Sequence, residues 1–350
     1  MLLNGIFAAI TTPFYPDGKI YLRKIEHNVD RYSRTPISGI AVLGSTGEAV
    51  MLSDQERREV LREARNAAAS HTVLLAGTSA ESAIATLELT EYAASLSYDA
   101  ALVRPPSYYK PQMKPENIMA FYRFIADRSP LPVVIYNIPP FTGYDMPVEL
   151  IAELAEHPRI IGIKESGGSV EKIERLVEST RHVQHEVPVT EVFTAVTTRM
   201  QADANSGTTG NIVPAESLSA NTATAVAAKP KLKTRTKNAG FQVLCGSAQL
   251  ALRSLEKGAV GALIAFACVA PTACFEIYTA WKDRDPKLAE EKQQRVTAAA
   301  QRIVGQLGIP GIKYGLDLNG YYGGPPRLPL LPLTADDKQE IEKLLADIRN

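Results

Sequence analysis

The chain predicts an α/β protein, a (β/α)8 TIM barrel with a C-terminal helical extension. Two observations lead there: short runs that are apolar throughout, and helical patterns between them for most of the length. The candidate strands are Gly5–Ile10, Gly39–Leu43, Val73–Ala76, Ala100–Val103, Val133–Tyr136, Ile160–Lys164, Phe241–Cys245 and Val260–Ile264. Runs rich in β-branched residues or alanine, with no polar alternation, suit parallel strands buried on both faces. Eight of them separated by helices favour a closed barrel over an open doubly wound sheet.

The intervening helices are justified one by one. Ser53-Asp54-Gln55-Glu56 has capping-box spacing, and Val60, Leu61, Ala64 and Ala68 then recur on one face. Ala80–Leu96 carries Ile84, Leu87, Tyr92 and Leu96 among polar neighbours. Pro115 and Pro147 suit helix starts, because a proline in the first turn forfeits no hydrogen bond. Ser169–Thr180 and Ser247–Lys257 complete the pattern, giving a barrel over 1–285 and a helical region over 286–350. Two helical stretches are expected in that region, broken by Gly308-Ile309-Pro310 and by Tyr321–Pro329.

The segment from about 183 to 240 does not fit. It is rich in Ala, Thr, Ser and Asn and ends in the basic run Lys229-Pro230-Lys231-Leu232-Lys233. A stretch this long argues for an insertion, either polar and solvated or holding a small hairpin around Val187–Thr198. Because it precedes the seventh barrel strand, it is expected to leave from the N-terminal face, away from any active site.

Composition excludes several function classes. Thirty-eight basic residues balance thirty-eight acidic ones in 350, so no electrostatic footprint for nucleic acid is present. No apolar run reaches the length of a membrane span. The stretch from Met1 to Pro16 lacks a positively charged leader and reads as a first strand rather than a signal sequence. Cys245, Cys268 and Cys274 are an odd number of thiols in a long chain, which points to core packing and a reducing cytoplasm.

Chemistry in a barrel projects from the C-terminal ends of its strands. After the second strand comes Gly44-Ser45-Thr46-Gly47-Glu48, either an anion-cradling nest or a tight turn. The fifth ends in Tyr136-Asn137-Ile138-Pro139-Pro140, where the phenol could shuttle a proton or its ring could merely pack under the proline turn. The sixth ends in Ile163-Lys164-Glu165-Ser166-Gly167-Gly168. A lysine closing an apolar strand either becomes a nucleophile in a desolvated pocket or extends its amine to water. His182 and His185 have a possible metal spacing but no acidic or cysteine cluster beside them, so a solvated pair is expected. His27, His71 and His157 fall in helices away from the rim, and no Gly-x-Ser-x-Gly elbow occurs.

Taken in order, the Gly44–Glu48 loop, Tyr108-Tyr109, Tyr136-Asn137-Ile138-Pro139 and Ile163-Lys164-Glu165-Ser166 resemble the dihydrodipicolinate synthase and N-acetylneuraminate lyase family of pyruvate-handling class I aldolases. The resemblance covers about residues 4–182 and 240–345. Gly308–Lys313, Gly320–Pro325 and Lys164–Gly168 are most similar to its 4-hydroxy-2-oxoglutarate aldolase branch. The resemblance implies that Lys164 forms an imine with pyruvate or another 2-oxo acid, and that Tyr136 moves the proton of the C4 hydroxyl with relay through Thr46 and Tyr109. It implies that backbone N–H groups at Ser45 and Thr46 hold the substrate carboxylate. Gly47, Ser166, Phe141, Gly246, Ser247 and Leu263 complete the implied substrate-binding set. Tyr109 is expected to come from a neighbouring subunit of a homotetramer built as a dimer of dimers. Pyruvate and an aldehyde are the expected partners, with no metal or organic cofactor, no nucleic acid and no membrane.

One departure bears on the substrate. Lysine-forming synthases of the family carry an arginine where this chain has Phe141, and a phenyl ring offers a carboxylate no bidentate donors. The expectation is therefore an aldolase acting on a 4-hydroxy-2-oxo acid, most similar to 4-hydroxy-2-oxoglutarate aldolase. The alternatives are the synthase itself, a deoxy sugar acid dehydratase or aldolase, and a catalytically silent 2-oxo acid sensor.

Overall fold

The computed structural model describes residues 2–190 and 234–348. Strands β1 (Gly5–Ala9), β2 (Gly39–Val42), β3 (Val73–Gly77), β4 (Ala100–Val103), β5 (Val133–Asn137) and β6 (Ile160–Glu165) follow one another with helices between them. After β7 (His185–Thr190) and β8 (Thr234–Ala239) come β9 (Gln242–Cys245) and β10 (Gly261–Ile264). Strands β1–β6, β9 and β10 close into one parallel barrel in the order β1-β10-β9-β6-β5-β4-β3-β2. This is a (β/α)8 TIM barrel. Each barrel strand lies within one residue of its expected limits at either end.

Alternation along the strands sorts two cores. Phe7, Ala9, Ala41, Leu75, Leu102, Val134, Leu244 and Leu263 fill the interior. Ile6, Ala8, Ile40, Val42, Leu74, Ala76 and Val103 face the helix layer. The register slips once, between β5 and β6: Val133 pairs with Ile160, and Val134 with Gly162, leaving Ile161 as the extra residue. Beyond that bulge Tyr136 lies opposite Lys164, and a one-residue slip is what decides which face a strand residue takes.

The capping box at Ser53 forms as its spacing predicts and opens Asp54–Ala67. Pro115 is the first residue of Pro115–Arg128, whereas Pro147 is the N-cap of Val148–Ala155. In the C-terminal region the helical path of Pro286–Ala300 and Gln301–Gln306 ends just before Gly308-Ile309-Pro310, where the expected break falls with Gly308 at φ 64°, and a new helix, Gly308–Leu318, begins there; Ala335–Leu344 follows. Pro310 sits in the first turn of Gly308–Leu318, where no backbone donor is owed to the helix.

The chain forms two compact units, 1–185 with 238–350, and 186–237. In the second unit the described residues come from β7 and β8, which pair with each other. The strand 185–190 thus pairs with residues far along the chain rather than within a local hairpin, and the rest of Val187–Thr198 lies outside the described residues, as does the run Lys229–Lys233. Cys245, Cys268 and Cys274 are buried and unpaired. Among the described residues no helix is long and apolar enough to cross a membrane.

Candidate active site

Lys164 extends from the C-terminal end of β6 into the barrel mouth and is only 4% exposed. Its amine stands 4.1 Å from the centroid of the Tyr136 ring. Both line a cavity of ≈ 480 Å³ together with Ser45, Thr46, Phe141, Ser166, Gly246 and Ser247. Among the described residues lining it, Lys164 carries the only charge.

The loop after β2 brings two hydroxyls to this cavity. Ser45–Gly47 forms a single 3-10 turn flanked by Leu43 and Glu48, both non-glycine residues with positive φ (61° and 54°). Such conformations cost on the order of 1–3 kcal/mol each and persist where surroundings over-determine them. Ser45 and Thr46, as the first residues of the turn, have N–H groups without an acceptor inside it. The hydroxyl that reaches the Tyr136 phenol is that of Ser45, at 3.5 Å. This contact is made by Ser45 rather than by Thr46, for which the relay is expected. Thr46 lines the cavity beside it.

Other expected residues divide by position. The Ser166 hydroxyl is buried and makes no hydrogen bond with the described residues. It borders the cavity, and Gly246 is glycine because a Cβ there would lie 1.8 Å from it. Gly47 does not line the cavity: its N–H donates to the Gly44 carbonyl and its own carbonyl accepts the Thr12 hydroxyl at 2.6 Å. Leu263 is packed in the barrel interior below the mouth. Tyr109 is 66% exposed and stacks edge-on against Tyr108, outside the cavity of its own chain. The loop carrying both tyrosines is anchored by Glu81, which accepts from the Ser107 and Tyr108 N–H groups and pairs with Arg104 at 2.9 Å. Burial pushes the Glu81 carboxyl up, but those N–H donors and the guanidinium together hold it below its ordinary range.

Beneath the lysine, the strand ends are tied by a buried polar network. The Asn137 amide donates to Glu165 at 2.8 Å and to Asp145 at 2.7 Å. Glu165 also accepts from Gly167 N–H at 2.5 Å and faces Lys172 at 3.4 Å. Burial raises the Glu165 carboxyl despite the opposing pull of Lys172. His182 instead pairs with Glu156 on the surface.

The outer wall comes from residues that the sequence pattern does not place at the site. Gln249 after β9, and Val304, Gly305, Gln306, Ile309 and Ile312 from the C-terminal helices, close the mouth over the lysine. Gln301–Gln306 is a π-helical segment, a geometry frequent at functional sites. Gln301 accepts from Gln249, which in turn accepts from the Ser247 hydroxyl. The only cue was the glycine-proline punctuation at Gly308–Pro310, which marked an irregularity without saying where it packs.

A profile of the dihydrodipicolinate synthetase family matches residues 2–225 and 220–348. The chain belongs to that family. Among its relatives, a 4-hydroxy-tetrahydrodipicolinate synthase of Methanothrix thermoacetophila is 28% identical, covering 98% of this chain and 96% of the relative. An L-threo-3-deoxy-hexylosonate aldolase of Hypocrea jecorina is 29% identical, with 97% and 94% covered. A crystal structure described as a putative dihydrodipicolinate synthetase from Pseudomonas aeruginosa superposes with a TM-score of 0.77 at 25% identity, covering 99% of this chain and all of the other. The family supports an aldolase, lyase or synthase. These family members carry synthase and hexylosonate aldolase names, and the expected 4-hydroxy-2-oxoglutarate branch has no counterpart among them.

Proposed function

We propose that this family member is a class I aldolase that cleaves or forms a 4-hydroxy-2-oxo acid through an imine at Lys164, with an uncharged hydroxyaldehyde as second product. One observation carries the reading: a buried lysine stands at a barrel mouth over the face of a tyrosine ring, in a cavity with no other charge among the described lining residues.

The neutral amine of Lys164 attacks the C2 carbonyl, water leaves, and the protonated imine becomes an electron sink. The Tyr136 oxygen takes the C4 hydroxyl proton, passing it toward Ser45, as the C3–C4 bond breaks. Its electron pair moves into the enamine and the aldehyde departs. Protonation at C3 and hydrolysis of the imine return pyruvate and the free lysine. The substrate carboxylate lies against the N–H groups of Ser45 and Thr46, and the Ser166 hydroxyl, which has no hydrogen-bond partner among the described residues, binds the reacting chain. The roles given to the loop hydroxyls follow distance: Ser45 is the relay and Thr46 a binding residue.

The acceptor side supports a neutral tail. Ile138, Pro140, Phe141, Val304 and Ile309 give one apolar wall, and Ser247, Gln249 and Gln306 supply uncharged hydrogen-bonding groups. A carboxylate there would be desolvated without a cation. This favours a deoxy sugar acid over aspartate semialdehyde or 4-hydroxy-2-oxoglutarate, and agrees with the hexylosonate aldolase names among the relatives. Tyr109, exposed in the single chain, is assigned to the site of a neighbouring copy in a homo-oligomer.

The test is intact mass after incubation with pyruvate and borohydride, with Lys164→Ala in parallel. A reduced-imine adduct on the wild type and none on the variant is expected. No adduct on either protein would remove the class I mechanism and leave a binding protein for 2-oxo acids.

A further inference from the structure

We infer that Lys313 and Glu48 are a positioning pair, which holds the carboxylate-binding loop and the C-terminal wall of the cavity as one body; the catalytic consequence rests on the reaction proposed above. Glu48 is the residue directly after the Ser45–Gly47 turn and takes the left-handed conformation with φ 54°. Both of its carboxylate oxygens are engaged. One lies 2.6 Å from the Lys313 amine, with the two side chains 0% and 1% exposed. The other accepts the Arg327 backbone N–H at 2.9 Å.

Besides this ion pair, the Lys313 amine donates to the carbonyls of Thr12 and Pro325, both at 2.9 Å, and stands 4.3 Å from the centroid of the Phe14 ring. The Thr12 hydroxyl donates to the Gly47 carbonyl, so a single ammonium group joins the end of β1, the loop after β2 and the segment 325–327. Lys313 belongs to the helix Gly308–Leu318, whose Gly308, Ile309 and Ile312 line the same cavity. Loop and wall thus meet in one buried ion pair that touches neither Lys164 nor the cavity itself.

A buried pair of this kind is weak evidence for net stability, since desolvation offsets much of the attraction. Its location explains it better. The strained backbone at Glu48 fixes where the Ser45 and Thr46 N–H groups point, and the pair keeps that strain from relaxing.

The test combines backbone hydrogen exchange with pyruvate-dependent trapping by borohydride, on wild type, Lys313→Met, Glu48→Gln and the conservative Lys313→Arg. In Lys313→Met, peptides over 43–48 and over 304–312 are expected to lose protection together. The half-saturating pyruvate concentration is expected to rise about 10-fold or more, with a smaller change in the trapping rate at saturation, the mark of lost binding geometry. Glu48→Gln, which keeps an acceptor, gives the same pattern more weakly, and Lys313→Arg restores part of it. Lost protection confined to 313–328, or an unchanged half-saturation in folded variants, would overturn the inference. If wild type itself traps no pyruvate, the reaction falls, while the exchange pattern still decides whether loop and wall move as one.

Discussion

Tyr136 and Lys164 are register partners on adjacent strands, and the lysine amine stands over the face of the tyrosine ring. The two parts of Tyr136 therefore do different things. Its ring packs against the amine, while its hydroxyl faces Ser45. Tyr136→Phe keeps the first and deletes the second. The expected outcome is an imine adduct still trapped on Lys164, with kcat for pyruvate release lower by about 10²–10⁴, the usual range for a positioned acid-base group. Ser45→Ala should lower kcat less, and Thr46→Val should act mainly on KM. Steady-state kinetics with mass-spectrometric trapping separates the three. Equal loss of adduct and turnover in Tyr136→Phe would mean that the hydroxyl is needed for imine formation.

How far the sequence discloses this arrangement depends on range. The barrel strands are legible because burial on both faces leaves uninterrupted apolar runs, and Lys164 stands out because it ends one of them. Its inward direction is not legible: it follows from the bulge at Ile161, which slips the alternation by one residue relative to β5. Ser45 and Thr46 are adjacent hydroxyls, and only the course of the 3-10 turn determines which meets Tyr136. The part played by Gly308–Lys313 was hidden for a different reason. It reaches the cavity and Glu48 only through contacts spanning most of the chain, to which local periodicity is blind.

Phe141 is the position where charge selectivity can be reversed. It is 71% exposed and lines the cavity mouth, so a longer side chain there meets no packed core. Phe141→Arg is expected to favour acceptor aldehydes bearing a carboxylate, raising their kcat/KM relative to glyceraldehyde by about 10-fold, since a charge-assisted bidentate contact contributes on the order of 1.5–3 kcal/mol. Competition between the two aldehydes, read by product mass, checks it. An unchanged ratio would place the distal end of the substrate elsewhere in the cavity.

Gly246 has a role that can be read without any substrate. A Cβ at this position would lie 1.8 Å from Ser166 Oγ and 2.8 Å from the Glu165 carbonyl oxygen. The hydroxyl can rotate away but the carbonyl belongs to a barrel strand. Gly246→Ala is therefore expected to destabilise by about 1–3 kcal/mol, as other overpacked positions do, with the strand end beside Lys164 displaced. Adding Ser166→Gly should recover only part of the loss, because the backbone contact remains. Urea unfolding of the three variants gives the comparison. Full recovery in the double variant would show that the side chain alone enforced the glycine.

Arg327 supports the segment that contacts Glu48, and its own partner gives it a pH dependence. The guanidinium binds Glu56 in bidentate fashion, at 2.7 and 3.0 Å, and donates to the carbonyls of Gly18 and Met51. The hydrogen bonds from Arg327 hold the Glu56 carboxyl below its ordinary value of 4.5, against a smaller opposing effect of burial. A carboxyl whose folded value is depressed contributes stability above its unfolded value and loses it as pH falls through the folded value. Glu56→Gln should accordingly be less stable than wild type at pH 7, by about 1 kcal/mol for a partly exposed bidentate pair. The gap should close as pH falls below about 4.5, where the unfolded carboxyl is already protonated and only the folded one still gains from ionisation. Denaturation midpoints of both proteins between pH 7 and pH 3.5 provide the measurement. A gap that stays constant across that interval would mean that the amide fails to replace a neutral contact, and that the charge on Glu56 contributes nothing to holding the segment at Arg327.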